Sequence, residues 1–441
     1  MGGYLQKVNV LLIGSGGREH AIAHALSKSK SLGGLHCARG NGGISELAKC
    51  HDVSETDFDG LLKICEENSI SLVVVGPETP LVEGIVDFFR SNDIRCFGPK
   101  KDAAILEGSK DFAKRFMKKH NIPTARSESF KELKLAIEFV RLKSWARVIK
   151  ASGLAAGKGV IVCDTKKEAI AALEKIMDRK IFGAAGDCVV IEERLEGQEA
   201  SILAFTDGTA IVPMIPSQDH KRAFDDDKGL NTGGMGAYAP TPFVDKVTED
   251  LILNDILLPT MIGLSEDGID YVGVLYAGLM LTKDGPKVIE FNCRFGDPET
   301  QAVLPLLESD LLEIMLACTE KRLDQIDIRW KRGFAATVVA ASGGYPEKYE
   351  VGKNILIEPA QGTIVFHSGT EKKDETLLTS GGRVLSVTAL GDTLHESIDK
   401  AYNGLSMISF EGMHHRKDIG RKALSELKEK TSASPDEIQH L

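Results

Sequence analysis

Apolar and polar positions follow two distinct periods in the N-terminal part of the chain. Three short apolar runs, Val8–Ile13, Leu35–Ala38 and Leu72–Val75, are separated by stretches in which apolar residues recur with a helical period. Parallel strands need a helical crossover between them, so this alternation is typical of a parallel βαβ sheet. It predicts an α/β domain over residues 7–106.

The pattern becomes strand-rich in the middle of the chain. Apolar runs separated by glycine-containing turns extend from Arg147 to Met214, and one helix, near Lys166–Met177, interrupts them. The next stretch, Pro216–Pro240, is 25 residues long and dense in charge and glycine. A long segment of this composition predicts a loop that covers a functional site, with Ala223–Lys228 exposed to solvent and mobile.

Longer elements follow this segment. A helix is predicted over Lys246–Leu264, and two strands, Tyr271–Leu281 and Lys287–Asn292, form a β-hairpin through the turn TKDGP. After Trp330 come three further strand-like runs and then a helix near Leu394–Met407. The polar tail, residues 428–441, is predicted to fray.

The predicted fold class is α/β and α+β in several domains, because 441 residues exceed what one ordinary core holds. A Rossmann-like domain is expected at residues 7–106, a second domain at 107–330 and a small α+β domain at 331–425. Hydrophobic residues (42%) and charged residues (27%) lie near the globular average, which excludes a disordered or fibrous chain.

Charge and apolar run length argue against two kinds of partner. The net charge of −10 argues against binding to a nucleic-acid backbone. No run approaches the roughly 18 apolar residues of a membrane span, and the start of the chain is interpreted as a core strand rather than a signal peptide.

Eight cysteines without a CxxC pair fit reduced thiols, so a cytoplasmic protein is expected. His20 and His24 have the spacing of a metal-binding pair, but no third ligand lies nearby in the sequence, which favours packing or surface roles.

A glycine-rich turn follows the first predicted strand. In LLIGSGGREH, Gly14, Gly16 and Gly17 lie between a strand and a helix, where free backbone N–H groups and the helix dipole favour an anion. A dinucleotide fingerprint would need glycine at Glu19, so a monophosphate is favoured over a nicotinamide cofactor. The stretches ARGNGG and GPE, at the ends of the second and third strands, would line the same crevice. A purely structural role of these glycines in tight turns remains the alternative.

A second glycine-rich stretch suggests a nucleotide site. In VIKASGLAAGKGV, Lys150 ends a strand, and a loop with Gly153, Gly157 and Gly159 follows, which would let the backbone close over a triphosphate. The stretch is not a Walker loop, because Gly159 stands where Ser or Thr is needed after Lys158. The loop could equally be an ordinary turn.

The stretch VIEERLEGQE resembles an adenine-binding hinge. Its backbone near Glu193 and Leu195 would pair with the base, and Glu199 would hold the ribose hydroxyls. Read alone, this stretch is as compatible with a turn as the glycine loop is. The order of the two along the chain is what favours a nucleotide site.

The stretch VIEFNCRFGDPETQ begins as a buried strand and ends in charge. Side chains alternate across a strand, so Glu290 and Asn292 leave the same face side by side. On this stretch alone, a salt-bridged strand end and a site for a hard cation are both open.

Together these stretches resemble an ATP-grasp enzyme, which holds ATP between two α+β subdomains. The blocks KASGLAAGKGV, SQDHKR, NTGGMGAYAP, RFGDPETQ and GGRVLSVTALG are similar to those of the phosphoribosylamine–glycine ligase family, and the resemblance runs from Val8 to about Ala423. It implies an ATP-grasp core at residues 107–330 with a lid subdomain at about 124–193. It also implies ligation of glycine to 5-phosphoribosylamine through glycyl phosphate, giving glycinamide ribonucleotide, ADP and phosphate in purine biosynthesis.

The resemblance further implies roles for individual residues. Glu290 and Asn292 would hold Mg²⁺ or Mn²⁺ on the ATP phosphates, and Arg294 would clamp the glycine carboxylate or the transferred phosphoryl group. Asp297 would receive the glycine ammonium, and Lys221 is the third residue expected to take part in catalysis. ATP is expected to contact Lys110, Lys150, Gly157, Glu193, Leu195 and Glu199. The substrates are expected to contact Gly14, Gly16, Gly17, Arg18, Asn41, Gly43, Glu78 and Asp219, the first four through the ribosyl 5-phosphate.

The expected partners are the small molecules glycine and 5-phosphoribosylamine, with neither nucleic acid nor a membrane. A monomer is expected, and a channelling contact with the preceding enzyme of the pathway stays open. Two alternatives remain. Another ATP-grasp carboxylate–amine ligase would share Lys150, Glu193, Glu290 and Asn292 but not the phosphate crevice. A non-catalytic ATP-binding sensor would keep the hinge and lose the metal or acyl-acceptor groups.

Overall fold

The computed structural model describes residues 7–155, 157–358 and 360–433. Within these ranges the strands form three four- to six-stranded sheets and a lid sheet of four strands, together with three small two-stranded pairs. None of the described helices has the length and apolar character that crossing a bilayer requires.

The N-terminal part forms a five-stranded parallel sheet in the order β3-β2-β1-β4-β5. Its elements are β1 Val8–Gly14, α1 Gly17–Leu26, β2 Leu32–Arg39, β3 Lys49–His51, α2 Phe58–Glu67, β4 Leu72–Val75, α3 Glu78–Glu83, α4 Ile85–Ser91, β5 Arg95–Phe97 and α5 Lys101–Gly108. Side chains of β1 alternate between two cores, with Leu12 packed in the cluster that contains α1 and Leu11 in the cluster that contains α2 and α4. The predicted Rossmann-like sheet is confirmed; β3 and β5 escaped prediction because each has only three residues.

The lid sheet is antiparallel, in the order β6-β9-β7-β8. The elements here are α6 Lys110–Lys119, β6 Ser127–Phe130, α7 Leu133–Leu142, β7 Ala146–Ala151, β8 Val160–Val162, α8 Lys166–Leu173 and β9 Val189–Glu193. A π-helical turn, Glu174–Asp178, continues α8, so the helix predicted near Lys166–Met177 is confirmed. The glycine-rich loop joins β7 to β8, and the hinge follows β9.

The next part contains a four-stranded antiparallel sheet in the order β11-β10-β16-β17. The elements are β10 Gln198–Thr206, β11 Ile211–Pro213, β12 Gln218–Asp219, β13 Arg222–Phe224, β14 Lys228–Asn231, β15 Gly236–Ala239, α9 Lys246–Ile252, α10 Leu258–Glu266, β16 Gly273–Thr282, β17 Gly285–Asn292, α11 Glu299–Val303 and α12 Leu311–Thr319. A π-helical stretch, Leu253–Leu257, joins α9 to α10. The predicted helix Lys246–Leu264 and the predicted β16–β17 hairpin are therefore confirmed.

The prediction of a long loop over Pro216–Pro240 is wrong. The segment contains four short strands, of which β12 pairs with β15 and β13 pairs with β14. Ala223 is fully buried, although most of Ala223–Lys228 is exposed or half-buried. The backbone of this charged stretch is satisfied by strand partners, and β15 finds its second partner about a hundred residues later in the chain.

The C-terminal part completes a sheet in the order β12-β15-β18-β23-β20, with β25 also paired to β18. Its elements are β18 Phe334–Ser342, β19 Leu356–Ile357, β20 Thr363–His367, β21 Thr370–Lys373, β22 Thr376–Thr379, β23 Arg383–Gly391, α13 Leu394–Leu405, β24 Ile408–Ser409, β25 Met413–His414 and α14 Arg421–Ala433. The helix predicted near Leu394–Met407 is confirmed as α13. The tail predicted to fray is helical as far as Ala433, and residues 434–441 lie outside the described residues.

Candidate active site

Charged side chains from two strands, β10 and β17, meet around Lys221. Its Nζ lies 3.1 Å from Glu199 Oε2 and 3.9 Å from Glu290 Oε1. Burial lowers the pKa of Lys221, but neighbouring carboxylates, led by Glu199, raise this pKa well above its ordinary value. The cation therefore stays charged and holds two carboxylates close together.

Glu290 and Asn292 lie on the same face of β17, opposite Gly278 and Tyr276 of β16. A Cβ at Gly278 would lie 3.3 Å from Glu290 Cγ, so the glycine leaves room for this side chain. Asn292 Oδ1 accepts a long hydrogen bond, 3.4 Å, from Arg294. Burial raises the pKa of Glu290, but nearby lysines, Lys221 first, hold it below its ordinary value, so this carboxylate is ionised.

The Glu290–Asn292 pair fits a divalent cation that also has phosphate oxygens as ligands. Within the described residues, no group of three or more His, Cys, Asp or Glu side chains is arranged to hold a metal ion. Glu290 is 30% exposed, and Lys221 is its single ion-pair partner among those residues. Mg²⁺ is commonly held by one or two protein oxygens together with substrate phosphates, which is the donor set that this pair would offer.

Two buried lysines share one carboxylate beneath β17. Lys150 Nζ donates to the carbonyl of Ile289 at 3.0 Å and lies 3.0 Å from Glu192 Oε1, and Lys114 Nζ lies 3.2 Å from the same oxygen. Burial lowers the pKa of Lys114 to about 8 and also lowers the pKa of Lys110, which Glu290 partly restores. Lys114 and Glu192 were not singled out from the sequence. The signal that points to them is a charged residue on the apolar face of α6, beside Phe116, and another at the end of the apolar run of β9.

The hinge after β9 is held by an arginine. Arg126 donates to the Glu193 carboxylate from its backbone N–H at 2.9 Å and from Nε at 2.6 Å, and its guanidinium lies 5.5 Å above the Trp145 ring. Among the described residues, the N–H of Leu195 meets no acceptor, which suits a hinge that pairs with a base. Gly157, in the glycine-rich loop, has φ +74°, a left-handed conformation that favours glycine.

The predicted glycine turn does not present a free N–H at Gly16. The Gly16 N–H donates to Glu19 Oε2 at 2.6 Å, and Arg18 Nε donates to Glu19 Oε1 at 2.5 Å. A Cβ at Gly14 or Gly76 would lie 2.7 or 2.1 Å from the Glu19 side chain. The expectation of free backbone N–H groups at this turn is wrong for Gly16, because the Glu19 carboxylate already accepts from its N–H.

Asn41 and Gly43 join the first domain to the C-terminal one. Asn41 Nδ2 donates to the carbonyl of His367 at 2.8 Å, and Asn41 Oδ1 accepts from Gly43 N–H at 3.0 Å. A Cβ at Gly43 would lie 2.2 Å from His20. His20 in turn accepts from the His367 N–H at 2.8 Å, so it packs in the interior. Direct substrate contacts of Asn41 and Gly43 stay predictions.

Arg294 lies between two carboxylates. Its Nε is 3.3 Å from Glu78 Oε2 and its Nη2 is 2.8 Å from Glu107 Oε1. The pKa of Glu78 is lowered to about 2, since Arg294 outweighs the effect of burial. For Glu107 burial dominates and raises the pKa to about 6. Sequence reasoning missed Glu107, which lies at the end of α5 in an apolar pattern.

Asp297 is held from the C-terminal domain. Its Oδ1 accepts from Gln301 Nε2 at 2.8 Å and lies 3.2 Å from Arg383 Nη1. Burial raises the pKa of Asp297, but Arg383 and Arg18 bring it below the ordinary value. Burial also raises the pKa of Asp219, in β12, to about 8. Arg383 stands in the block GGRVLSVTALG, which pointed to the family but not to this contact.

Three sequence profiles of one family match the chain in order. They describe the N domain of phosphoribosylglycinamide synthetase at residues 8–107, its ATP-grasp (A) domain at 108–300 and its C domain at 335–422. The chain belongs to the phosphoribosylglycinamide synthetase family. As a member of it the chain is an ATP-grasp ligase, and ATP-grasp proteins use ATP with a divalent metal ion.

Relatives of the family match over nearly the whole chain. The phosphoribosylamine–glycine ligase of Caldanaerobacter subterraneus is 48% identical over 413 residues, which are 93% of this chain and 99% of that protein. The bifunctional purine biosynthetic protein PUR2,5 of Pichia angusta is 49% identical over 430 residues, and the chain spans about half of it, 54%. The crystal structure of phosphoribosylamine–glycine ligase from Thermotoga maritima has a TM-score of 0.82 and 36% identity, covering 93% of this chain and 100% of that one.

Proposed function

We propose that this chain joins glycine to 5-phosphoribosylamine with ATP, giving glycinamide ribonucleotide, ADP and phosphate in purine biosynthesis. The observation that carries the proposal is the path of the segment 290–301. Glu290, at its start, lies 3.9 Å from Lys221, and the carbonyl of Phe295 accepts from Arg18 Nη1 at 3.1 Å. One short segment thus connects a site suited to nucleotide phosphates with the glycine turn of the first domain.

A carboxylate must be activated before an amine can displace one of its oxygens. In the first step the glycine carboxylate attacks the γ-phosphorus of ATP, the bond to the β-phosphate oxygen breaks, and ADP leaves with the electron pair. Lys110 and Lys150 would contact the phosphate oxygens as the charge redistributes. Their burial strengthens this attraction, because the local dielectric constant is lower than that of water.

Glu290 and Asn292 would hold the divalent ion, for which we propose Mg²⁺ or Mn²⁺. Bound there, the ion would supply positive charge to the ATP phosphates. Lys221 lies between the carboxylates of Glu290 and Glu199 and helps to hold both in place. On the lid side, the Leu195 N–H would pair with the adenine, Glu193 would keep the hinge in place, and Glu199 would also meet the ribose.

In the second step the amine nitrogen of phosphoribosylamine attacks the acyl carbon of glycyl phosphate. Phosphate leaves with the electron pair of the broken C–O bond, and the nitrogen loses a proton. Asp297 would hold the glycine ammonium, and Arg294, kept in place by Glu78 and Glu107, would bind the carboxylate or the transferred phosphoryl group. These groups act chiefly by positioning the reactants.

Most of the remaining contacts that we propose lie in the first domain; Asp219, in β12, and Gly157, in the glycine-rich loop, do not. They are Gly14, Gly16, Gly17, Arg18, Asn41, Gly43, Glu78 and Asp219 for the substrates, and Gly157 for ATP. At the glycine turn, the ribosyl phosphate would meet donors other than the Gly16 N–H, because Glu19 accepts from that group. We also propose a monomer in the cytoplasm, a compartment that suits eight free cysteines, six of them buried.

Release of ADP, measured with glycine and phosphoribosylamine supplied separately and together, tests the proposal. ADP formation should require glycine and should rise strongly when the amine is added, and NAD should have no effect. Equal turnover with other amino acids would indicate a different ATP-grasp ligase. Binding of ATP without turnover under any of these conditions would indicate a sensor.

A further inference from the structure

A buried arginine of the C-terminal domain hydrogen-bonds to the hairpin β13–β14. Arg416 is 1% exposed and lies between the hairpin and its own loop. Its Nη1 donates to Asp227 Oδ1 at 2.9 Å and to the carbonyl of Arg222 at 3.2 Å, while its Nε donates to Asp418 Oδ1 at 2.8 Å. One side chain therefore joins strand β13 and the turn of the hairpin to the loop before α14.

Backbone groups reinforce this grip. The Asp226 N–H donates to Asp418 Oδ2 at 2.9 Å, and the Lys417 N–H donates to Asp225 Oδ1 at 2.8 Å. His414 Nε2 donates to the carbonyl of Ala223 at 2.8 Å. An isolated two-stranded hairpin is only marginally stable in water, so these contacts decide where this one lies.

Lys221 lies at the base of the hairpin. Its carbonyl accepts from the Thr232 N–H at 2.7 Å. This bond pairs the residue just before β13 with the residue just after β14. The preceding residue, His220, accepts at Nε2 from the Gly420 N–H at 3.2 Å. The position of the Lys221 side chain is thus tied to the loop that carries Arg416.

The segment that follows β14 is held by the same C-terminal domain. Arg383 Nη1 donates to the carbonyl of Gly233 at 2.6 Å, and the Gly233 N–H donates to the Tyr345 hydroxyl at 3.0 Å. Both ends of the Lys221–Gly233 stretch therefore depend on residues that lie more than a hundred positions later in the chain.

We propose that the segment 414–420 is a clamp that holds Lys221 against Glu199 and Glu290, with Arg416 as its positioning residue. The proposal rests on the proposed function, in which Lys221 orders the ATP and metal site. Arg416 acts through the hairpin and touches no substrate. Losing its contacts moves Lys221, and displacements of this order at a reacting centre reduce turnover strongly.

The test uses Asp227→Asn and Arg416→Lys, with Asp226→Asn as the matched control. Asp227 is 38% exposed, so its substitution leaves the core intact, and it accepts directly from Arg416. The neighbouring Asp226 carboxylate meets the exposed Arg421 instead. Both aspartates have positive φ, 59° and 53°, which asparagine tolerates well.

Three readouts are compared on the full chain: kcat and KM for ATP in ADP release, the rate of tryptic cleavage within the hairpin, and the melting temperature. Asp227→Asn and Arg416→Lys should lower kcat/KM for ATP by about tenfold and speed cleavage after Arg222 and Lys228. The exposed substitution, Asp227→Asn, should do so with little change in melting temperature. Arg416→Met should lower kcat/KM for ATP more than Arg416→Lys does, because lysine retains a cation. Asp226→Asn should match the wild type.

Wild-type kcat/KM and wild-type cleavage in Asp227→Asn would overturn the clamp, even if the Arg416 variants failed to fold. So would a loss of activity that merely follows the folded fraction, with unchanged cleavage of the folded protein. If the wild type itself showed no glycine-dependent ADP release, the proposed function would fail, whereas the cleavage comparison would still report on the hairpin.

Discussion

Replacing Glu290 by Gln separates a metal-binding carboxylate from a salt-bridged strand end. The substitution keeps the shape of the side chain and removes its charge. Glu290 is 30% exposed, and its cation, Lys221, lies 3.9 Å away and has a nearer partner, Glu199, at 3.1 Å. The structure therefore makes Glu290 a minor contributor to folding and leaves its charge available to a ligand.

The two effects differ in expected size. The gross Coulomb attraction across 3.9 Å is about 4 kcal/mol at an effective dielectric constant of about 20. Exposure of both groups and the remaining Glu199 partner reduce the net loss in the free energy of unfolding to at most about 1 kcal/mol. Loss of a charged metal ligand should instead lower turnover by about 100-fold or more, beyond the effect typical of residues that merely support a ligand.

The assay is turnover against Mg²⁺ concentration for Glu290→Gln, Asn292→Ala and Glu299→Gln, with the melting temperature of each. The first two should need much more metal and melt close to the wild type. Glu299 accepts from the Tyr276 hydroxyl at 2.6 Å inside the core and is 2% exposed, so its substitution should lower stability and change metal dependence little. Normal metal dependence together with a lowered melting temperature in Glu290→Gln would refute the metal site.

Two further predictions concern charge elsewhere in the chain. Lys221→Met should lower turnover by about tenfold or more, since Glu199 and Glu290 lose the cation between them, whereas Asp226→Ala should leave ADP release nearly intact; equal effects would contradict this. Burial lowers the pKa of His20 to about 3, so the unfolded chain takes up a proton first and stability should fall, by up to about 5 kcal/mol, as the pH drops from 6.5 towards 3. In urea unfolding, His20→Asn should flatten that pH dependence and the exposed His395→Asn should not; identical profiles for wild type and His20→Asn would show that His20 does not titrate this way.

Local pattern was enough for elements marked by an apolar run, a sustained helical period or a short turn. Strands β1 and β4 are apolar runs, the long helix from α9 to α10 repeats its period over many residues, and a short turn joins β16 to β17. The Pro216–Pro240 segment was misread because its strands owe their existence to distant partners, such as Ala237 opposite Thr337. Composition described its exposed residues correctly but carried no information about that pairing.

The site shows the same division between motif and partner. Motifs identified Lys150, Glu290 and Arg294, but not the charges that hold them in place. Glu192 ends the apolar run of β9 next to a second glutamate, Glu107 is a single acidic residue in an apolar stretch, and the partners of both come from other elements. Such residues become recognisable once an ion pair is expected, because a carboxylate buried to this degree needs a nearby cation or a proton.

Glu19 shows how one departure from a motif carries positive information. Its presence where a dinucleotide fingerprint needs glycine was read as the loss of a cofactor site. In the structure its carboxylate accepts from the Gly16 N–H and from Arg18, and it fills the space that glycines at 14 and 76 leave open. These glycines are therefore required by a side chain of the same chain. Because that carboxylate already accepts from the Gly16 N–H, an incoming phosphate would meet the other donors of this turn.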